Sequence, residues 1–397
     1  MTKRPVILFS AAGFFGVIAV KNRYEIKPDN VKIMGRTLRI DGTTWLGYSA
    51  SGVSFYTYAR EVSVQLQAIS ESGDPSQTAV IGIVLNDDYD RIRKIAVRRG
   101  KAEYPVCVNF SGGAVKVALF KLSEVWNDKV GIVCIYADED IVPVEPSKRK
   151  ILFIGDSITA GYGIEVSEGP GMADAYTFRT MDVNPLKNYA GQTARRLGAD
   201  FTNLCWSGNG VISQYIPPDT DIPDTKDLLP DLYPYTDRTT EQVVRILLSA
   251  KGSRRAVLNS DAAPGAKDGL TVFNPADFVP DVIVAALGTN DASFTKGIKR
   301  RERLFAERYA AFMMALGRDY PRAVRLIIHG IIESSLTDAC RAAAQYAGAY
   351  FMEIPPLRPE EGYGGGGHPS YLAHCRMADQ LTDEICRRTG WTEEKED

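Results

Sequence analysis

The sequence has few of the residues that carry metal or redox chemistry. It has three histidines in 397 residues, and none of its six cysteines forms a CxxC pair or a Cys/His cluster with zinc-site spacing. Most of the cysteines lie inside apolar runs such as "GIVCIYA", where a free cysteine packs as a small core residue. We therefore expect reduced, buried thiols, no metal and no cofactor.

Net charge is also small. Lys and Arg number 47 and Asp and Glu number 49, and no basic stripe with interleaved aromatic residues occurs. This balance gives no support to nucleic acid or an anionic membrane as a partner.

The apolar run at residues 6–20 is too short for a membrane span. It has the length of a signal peptide, and Val17-x-Ala19 is a passable cleavage site, but Gly13 and Gly16 interrupt the run. The alternation that follows the run would also suit a first β-strand. Scattered unpaired cysteines favour the cytoplasm over secretion, and the signal peptide stays an open alternative.

The hydrophobic pattern of the N-terminal part has a period of two. From about residue 31 to residue 142, apolar residues such as Val62, Val64 and Leu66 alternate with polar ones, as a half-buried strand requires. Strands separated by Gly, Asn and Asp turns indicate an antiparallel β-sandwich or jelly roll. Because the chain is longer than one hydrophobic core usually supports, we predict a separate sandwich domain over residues 1–145.

The C-terminal part alternates short apolar strands with helices. The predicted strands are "ILFIG" (151–155), "DFTNLCW" (200–206), "DVIVAALG" (281–288), "VRLIIHG" (324–330) and "AYFMEI" (349–354). One helix between them carries Phe305, Tyr309, Phe312 and Leu316 at helical spacing. This alternation indicates an α/β domain with a doubly wound parallel sheet over residues 150–397. In such sheets ligands bind beyond the C-terminal ends of the strands.

Three candidate functional residues come after strands of this predicted sheet, and a fourth lies in the loop after the last strand. Ser157 in "GDSITAGYG" stands at a helix entry, where its N–H can bind an anion, although a serine there is often only an N-cap. Gly208 in "WSGNG" permits close backbone approach or is simply a turn residue. Asn290 in "LGTND" can donate an amide hydrogen bond or form an Asx turn. With His368 after four glycines, the set supplies a nucleophile, three oxyanion donors and a base.

These four blocks resemble those of the SGNH (GDSL-type) hydrolases, which carry Ser, Gly, Asn and His in the same order. The chain further resembles the second family of carbohydrate esterases, in which a jelly roll precedes an SGNH domain. The segments "MGRTLRIDGTTWLGYSASGVSFYTY" and "LLPDLYPYTDRT" are similar to parts of that family. The resemblance covers nearly the whole chain after about residue 30.

The resemblance implies a serine esterase that removes acetyl groups from xylan or from xylo- and gluco-oligosaccharides. Ser157 would be the nucleophile and His368 the general base, and the N–H groups of Ser157 and Gly208 with the Asn290 amide would hold the oxyanion. With an unperturbed imidazole pKa near 6.5, activity is expected to rise through about pH 6–7. The alternatives are an SGNH lipase or thioesterase acting on other short acyl esters, and a sugar-binding protein with a vestigial esterase domain.

The aspartate that usually precedes the histidine by three residues in SGNH enzymes is absent, and Gly365 stands there. Either a backbone carbonyl of the glycine loop accepts the His368 Nδ1–H, leaving a dyad with Ser157, or Glu360 or Glu361 folds in. We favour the carbonyl. A third reading, an inactive enzyme, is disfavoured because the other four groups remain.

The remaining polar and aromatic residues near these motifs have structural interpretations. We expect Asp156 and Asp291 to accept backbone N–H bonds at turns, and His374 to bond back to the histidine loop. His329 is a candidate for lining the pocket, and Trp206 either stacks on a sugar ring or, as we favour, packs against the sheet. The sequence leaves open the sugar, the deacetylated hydroxyl and whether the chain forms a homo-oligomer.

Overall fold

The computed structural model describes residues 21–69, 74–109, 112–167, 175–250 and 269–394. The apolar run at residues 6–20, with its signal-peptide alternative, lies outside the described residues. Within the described ranges, no helix is both long enough and apolar enough to cross a bilayer.

The described residues of the N-terminal part form twelve short strands. They are β1 (Asn22–Tyr24), β2 (Lys32–Met34), β3 (Thr37–Ile40), β4 (Thr43–Leu46), β5 (Gly52–Thr57), β6 (Glu61–Ile69), β7 (Val80–Leu85), β8 (Arg93–Ala96), β9 (Gly100–Val108), β10 (Val115–Lys121), β11 (Lys129–Ala137) and β12 (Ile141–Pro143). One antiparallel sheet has the order β3-β4-β11-β6-β9, with β1 also paired to β11. The other has the order β12-β5-β10-β7-β8, with β2 paired to β5.

Alternate residues of these strands fill the space between the two sheets. On β6, Val62, Val64 and Leu66 are buried in one cluster with residues of the facing sheet, which confirms the sandwich predicted from the period of two. Strand β10 departs from the simple alternation. Its outward-facing Ala118 and Phe120 are also buried, because they pack in a second cluster with Leu186 of the C-terminal part.

The five predicted C-terminal strands are all present and form one parallel sheet. They are β13 (Lys150–Gly155), β14 (Asp200–Cys205), β15 (Val282–Ala286), β16 (Val324–His329) and β17 (Tyr350–Glu353), in the order β14-β13-β15-β16-β17. In a sheet of this order the binding crevice lies where the order reverses, beyond the ends of β13 and β15.

Helices cover both faces of the parallel sheet. The α-helices are α1 (Ser157–Ala160), α2 (Tyr189–Arg196), α3 (Leu229–Leu232), α4 (Arg238–Ala250), α5 (Ala292–Thr295), α6 (Lys299–Asp319), α7 (Thr337–Ala347) and α8 (Tyr371–Thr389). Single 3₁₀ turns are found at Pro75–Gln77, Tyr89–Arg91, Thr180–Asp182, Pro275–Asp277, Pro359–Glu361 and Gly365–Gly367.

The two faces of β13 show this layering. Ile151 and Phe153 pack with α2 and α8, whereas Leu152 and Ile154 pack with α6 and α7. The α6 residues with helical spacing, Phe305 among them, are buried in the second of these layers. The C-terminal part is therefore a doubly wound α/β fold, as predicted.

The two parts are joined by buried contacts. Arg36, 2% exposed, donates from Nη1 to the carbonyl oxygens of Tyr233 and Tyr235, and its guanidinium lies 3.9 Å from the ring centroid of Phe273. The division into domains 1–145 and 150–397 stays a prediction, with β12 and β13 on either side of it.

Candidate active site

Ser157 is the first residue of α1, separated from the end of β13 by Asp156 alone. The carboxylate of Asp156 accepts the N–H of Ile158 at 3.0 Å and so caps the helix. The turn before it is tight, since a Cβ on Gly155 would lie 2.0 Å from Thr159 Oγ1. Ser157 is 7% exposed and lies beyond the C-terminal end of β13, at the edge of the sheet.

The imidazole of His368 contacts Ser157 on one side and a backbone carbonyl on the other. Nε2 lies 2.9 Å from Ser157 Oγ, and Nδ1 lies 3.2 Å from the carbonyl oxygen of Gly365. A carbonyl only accepts hydrogen bonds, so this contact places the proton of the neutral ring on Nδ1. Nε2 is then free to accept the hydroxyl proton of Ser157.

The glycine run has a defined shape around His368. Gly366 and Gly367 have φ angles of 67° and 73°, the left-handed region that glycine tolerates best. Gly365 donates its N–H to the carbonyl of Gly163 at 2.9 Å, and a Cβ on Gly365 would lie 2.5 Å from Tyr176 Cζ. The position where SGNH enzymes usually have an aspartate therefore has no room for a side chain.

The two glutamates considered as substitutes for that aspartate are oriented elsewhere. Both oxygens of the Glu361 carboxylate bind Arg376 on α8, with Oε2 at 2.9 Å from Nη2. Glu360 is exposed. The acceptor at His368 Nδ1 is the Gly365 carbonyl, the alternative that we favoured from the sequence.

The Asn290 amide lies between the two predicted backbone donors. Its Nδ2 donates to the carbonyl of Asn209 at 2.8 Å and to Asp156 Oδ2 at 3.2 Å. These acceptors belong to the chain neighbours of Gly208 and Ser157, so Asn290 lies next to the two residues whose N–H groups are the other predicted oxyanion donors. Gly208 has a φ of 78°, and a Cβ built on it would meet no atom within 4 Å.

Two fully buried aspartates support this edge. The Asp291 carboxylate accepts the backbone N–H groups of Val211, Ile212 and Ser213 at 2.7–3.1 Å. It therefore has the structural role that we expected from the sequence. Burial raises the pKa of Asp291 to about 6 despite these bonds. Burial also raises the pKa of Asp156 to about 7, with the nearby Asp291 carboxylate adding to the shift.

The other two histidines are buried in structural positions. His374 does not bond back to the histidine loop; its Nδ1 accepts the N–H of Tyr189 at 3.3 Å, because α8 packs against the start of α2. His329 is 5% exposed, and its Nδ1 lies 3.2 Å from Thr337 Oγ1. Trp206 is half-buried and packs against the apolar layer under α6 and α7, the alternative that we favoured.

Two neighbours of the candidate site are absent from the sequence-based set. The ring of Tyr162 lies over His368 with a centroid distance of 4.4 Å, and its place in "GDSITAGYG" could have indicated this. Glu124, between β10 and β11, binds Ser207, a residue 83 positions later. No local pattern in the sequence signals that contact.

The part of the chain that the structure describes holds no group of three or more His, Cys, Asp or Glu side chains that could bind a metal. The chemistry available to the described site is nucleophilic. A hydroxyl, an imidazole that accepts its proton, and nearby backbone and amide donors suit acyl transfer.

Known proteins with similar sequences are esterases. The chain is 27% identical over 87% of its length to the cellulase/esterase CelE of Acetivibrio thermocellus, and spans 38% of that protein. It is 24% identical over 91% of its length to an acetylxylan esterase/glucomannan deacetylase of Cellvibrio japonicus, of which it spans 90%.

Solved structures agree on the fold. A family two carbohydrate esterase from Clostridium thermocellum, in complex with cellohexaose, superposes with a TM-score of 0.71 at 25% identity, covering 91% of this chain and 99% of that one. The acetyl xylan esterase Est2A of Butyrivibrio proteoclasticus gives a TM-score of 0.76 at 20% identity, covering 94% and 99%. The family model of the GDSL-like lipases/acylhydrolases matches residues 151–354, just over half of the chain. The chain belongs to that family and is a carboxylic ester hydrolase.

Proposed function

We propose that the chain removes acetyl groups from acetylated xylan or from xylo- and gluco-oligosaccharides through a Ser157–His368 dyad. The observation that carries this proposal is the 2.9 Å contact between Ser157 Oγ and His368 Nε2. The sugar class is supported by the relatives, which include acetylxylan esterases and a structure bound to cellohexaose.

In the acylation step, Ser157 Oγ attacks the carbonyl carbon of the acetyl ester while its proton passes to His368 Nε2. The tetrahedral intermediate then collapses. The bond to the sugar oxygen breaks, and the imidazolium returns the proton to that oxygen, so a free sugar hydroxyl leaves.

The negative charge of the intermediate is held by the N–H groups of Ser157 and Gly208 and by the Asn290 amide. The longer of the two Asn290 contacts, 3.2 Å to Asp156 Oδ2, is the one that an oxyanion would replace. Removing one such donor typically costs about 10²–10³ in turnover.

Deacylation repeats the same steps with water. His368 takes a proton from the water as its oxygen attacks the acetyl–serine carbonyl, and it returns the proton to Ser157 Oγ as acetate leaves. Through both halves of the reaction the Gly365 carbonyl accepts the Nδ1–H and keeps the ring in place. The carbonyl orients the imidazole as an aspartate would, but it carries no full negative charge.

The test is acetate release from acetylated xylo- and gluco-oligosaccharides. Ser157→Ala should abolish release, and its far-ultraviolet circular dichroism should match the parent. Ser63→Ala is the matched control, because Ser63 is a buried serine in the sandwich, hydrogen-bonded to Glu103. It should keep full activity.

The same assay separates the alternatives. If the purified Ser157→Ala variant still releases acetate, Ser157 is not the nucleophile. Tight binding of the oligosaccharides by the parent chain without acetate release would identify a vestigial esterase. Faster cleavage of lipid or thioester substrates than of acetylated sugars would identify a lipase or thioesterase.

A further inference from the structure

Glu124 is a buried carboxylate that the sandwich places beside the candidate active site. It lies in the turn between β10 and β11 and is 0% exposed. Its Oε2 accepts the backbone N–H of Ser207 at 2.7 Å, and its Oε1 accepts the Ser207 hydroxyl at 2.5 Å. One side chain of the sandwich thus holds one residue of the α/β part at two points.

This arrangement has an electrostatic cost. Burial raises the pKa of Glu124 to about 7, against the hydrogen bonds from Ser207 and Trp126. The buried Lys121 also favours the ionised form, but its Nζ donates to the carbonyl oxygens of Leu46 and Gly47. A buried carboxylate that lost its hydrogen bonds would carry the full cost of its desolvation. The two hydrogen bonds from Ser207 offset that cost, so they favour this one arrangement of Glu124 and Ser207.

Ser207 immediately precedes the predicted oxyanion donor. The N–H of Gly208 belongs to the planar peptide unit that begins at Ser207, so the orientation of Ser207 sets the direction of that N–H. On the far side, the Gly208 carbonyl accepts the N–H of Tyr215 at 2.8 Å. Glu124 and Tyr215 therefore fix the segment from both ends.

The same turn also reaches the base. The ring of Trp126 lies 5.4 Å from that of Phe178, which stacks at 4.8 Å on Tyr162. The Tyr162 ring covers His368 at 4.4 Å. The β10–β11 turn of the sandwich is thus in contact with the oxyanion segment directly and with the imidazole through three rings.

We infer that Glu124 is a positioning residue, which holds Ser207 so that the Gly208 N–H faces the reacting carbonyl. This inference rests on the proposed function, since it requires Gly208 to act as an oxyanion donor. Glu124 acts only through Ser207. Its loss should therefore lower kcat, where the transition-state donor matters, and leave KM nearly unchanged.

The experiment compares Glu124→Ala with Glu124→Gln in the full chain, using para-nitrophenyl acetate as the substrate. The alanine variant should lose about 10–10²-fold in kcat, up to the range seen when an oxyanion donor is removed. Glutamine can accept the Ser207 N–H with its oxygen and donate to the Ser207 hydroxyl with its nitrogen, so it should restore kcat to within about five-fold.

Glu241 provides a matched control. It is also a fully buried glutamate, and its carboxylate accepts both the N–H and the hydroxyl of one residue, Thr271, at 2.8 and 3.0 Å. Glu241→Ala should lower the melting temperature and leave kcat near that of the parent. An equal loss of kcat in the Glu241 and Glu124 alanine variants would mean a general effect of stability and would overturn the inference.

Other outcomes also decide the question. A folded Glu124→Ala variant with unchanged kcat, or with its loss confined to KM, would overturn the inference. If that variant does not fold, Ser207→Ala decides, because it removes the hydroxyl contact and should lower kcat several-fold; no change would count against the inference. Ser157→Ala is measured alongside. If it retains activity the proposed function fails, whereas a dead Ser157→Ala beside a fully active Glu124→Ala overturns only the positioning role.

Discussion

At the scale of single residues, the imidazole of His368, the proposed base, makes no hydrogen bond to a carboxylate of the described residues. Its two nitrogens contact Ser157 Oγ and the Gly365 carbonyl. Burial lowers the pKa of His368 to about 4, against the backbone hydrogen bonds that raise it. The ring is thus kept neutral, the form in which a general base works.

This shift changes the expected pH dependence. A base acts when deprotonated, so kcat/KM should rise as the pH increases through about 4, the pKa of the partly buried imidazole, rather than through the 6–7 expected for a solvated ring. The measurement is a profile of para-nitrophenyl acetate hydrolysis that starts below the predicted rise, at about pH 3, and extends to neutral pH. A half-maximum at 6–7 would contradict the prediction.

Neighbouring carboxyls need a control in that profile. Burial raises the pKa values of Asp156 and Glu124 to about 7. Their titration would therefore change the profile near pH 7, where a solvated imidazole would also titrate. The Asp156→Asn and Glu124→Gln variants remove these two titrations. The rise near pH 4 should persist in both, because it belongs to His368.

Gly365 gives a prediction that runs against the usual design of the family. Restoring the missing acid as Gly365→Asp should lower activity by about 10-fold or more rather than improve the dyad, because its Cβ would fall 2.5 Å from Tyr176 Cζ and displace the carbonyl that holds His368. The readout is kcat, with a melting curve to show that the variant folds.

A second substitution checks the steric cause. Tyr176→Ala removes the ring that the new side chain would strike, so the double variant should recover part of the activity lost by Gly365→Asp. An active Gly365→Asp variant with a lower KM or higher kcat than the parent would show that the loop can accommodate an acid.

At the scale of elements, the loop that carries His368 is tied to α8. Glu361 binds Arg376 of α8 with both carboxylate oxygens, and the Glu361 carbonyl accepts the Ser370 hydroxyl. The pairing with Arg376 holds the pKa of Glu361 below its ordinary value. This glutamate anchors the loop, and it is not positioned to orient the imidazole.

The two glutamates of this loop should therefore behave differently when changed. Glu361→Gln should lower the free energy of unfolding by about 1–2 kcal/mol, through weakened charge-assisted hydrogen bonds, with kcat within a few-fold of the parent. The exposed Glu360→Gln is its matched control and should change neither. Chemical denaturation and acetate release check this, and a loss in Glu361→Gln as large as that of a His368 variant would make Glu361 the missing acid.

Elements were predictable from the sequence where the signal is local. The five parallel strands and the apolar face of α6 follow from runs and spacing, and both are present. The partner of His374 was not predictable, because it lies at the start of α2, which reaches α8 only through the tertiary fold. The Glu124–Ser207 contact, which joins the two parts, was hidden for the same reason.

At the scale of the whole molecule, β10 packs on both of its faces. Leu119 points into the sandwich core, while Ala118 and Phe120 pack in a cluster with Leu186 of the α/β part. The period of two in the N-terminal sequence predicted half-buried strands. It could not show that the other half is covered, because the residues that cover it are distant in the chain.

This packing predicts joint unfolding of the two parts. Phe120→Ala should destabilise the chain by about 3–5 kcal/mol, because it opens a cavity in the shared cluster, and should leave a single transition in calorimetry. Tyr56→Ala, on an outward-facing position of neighbouring β5 that is 39% exposed, should cost little. Two separate transitions in the parent or in Phe120→Ala would contradict a shared core.

The shared cluster also bears on how such a chain can be rearranged, by recombination or by design. A graft of the α/β part onto a different binding module would leave Leu186 and its neighbours uncovered, and an exposed apolar face of that kind promotes aggregation. The same cut would separate Glu124 from Ser207. The sandwich and the α/β part are expected to be inherited and transplanted as a single piece.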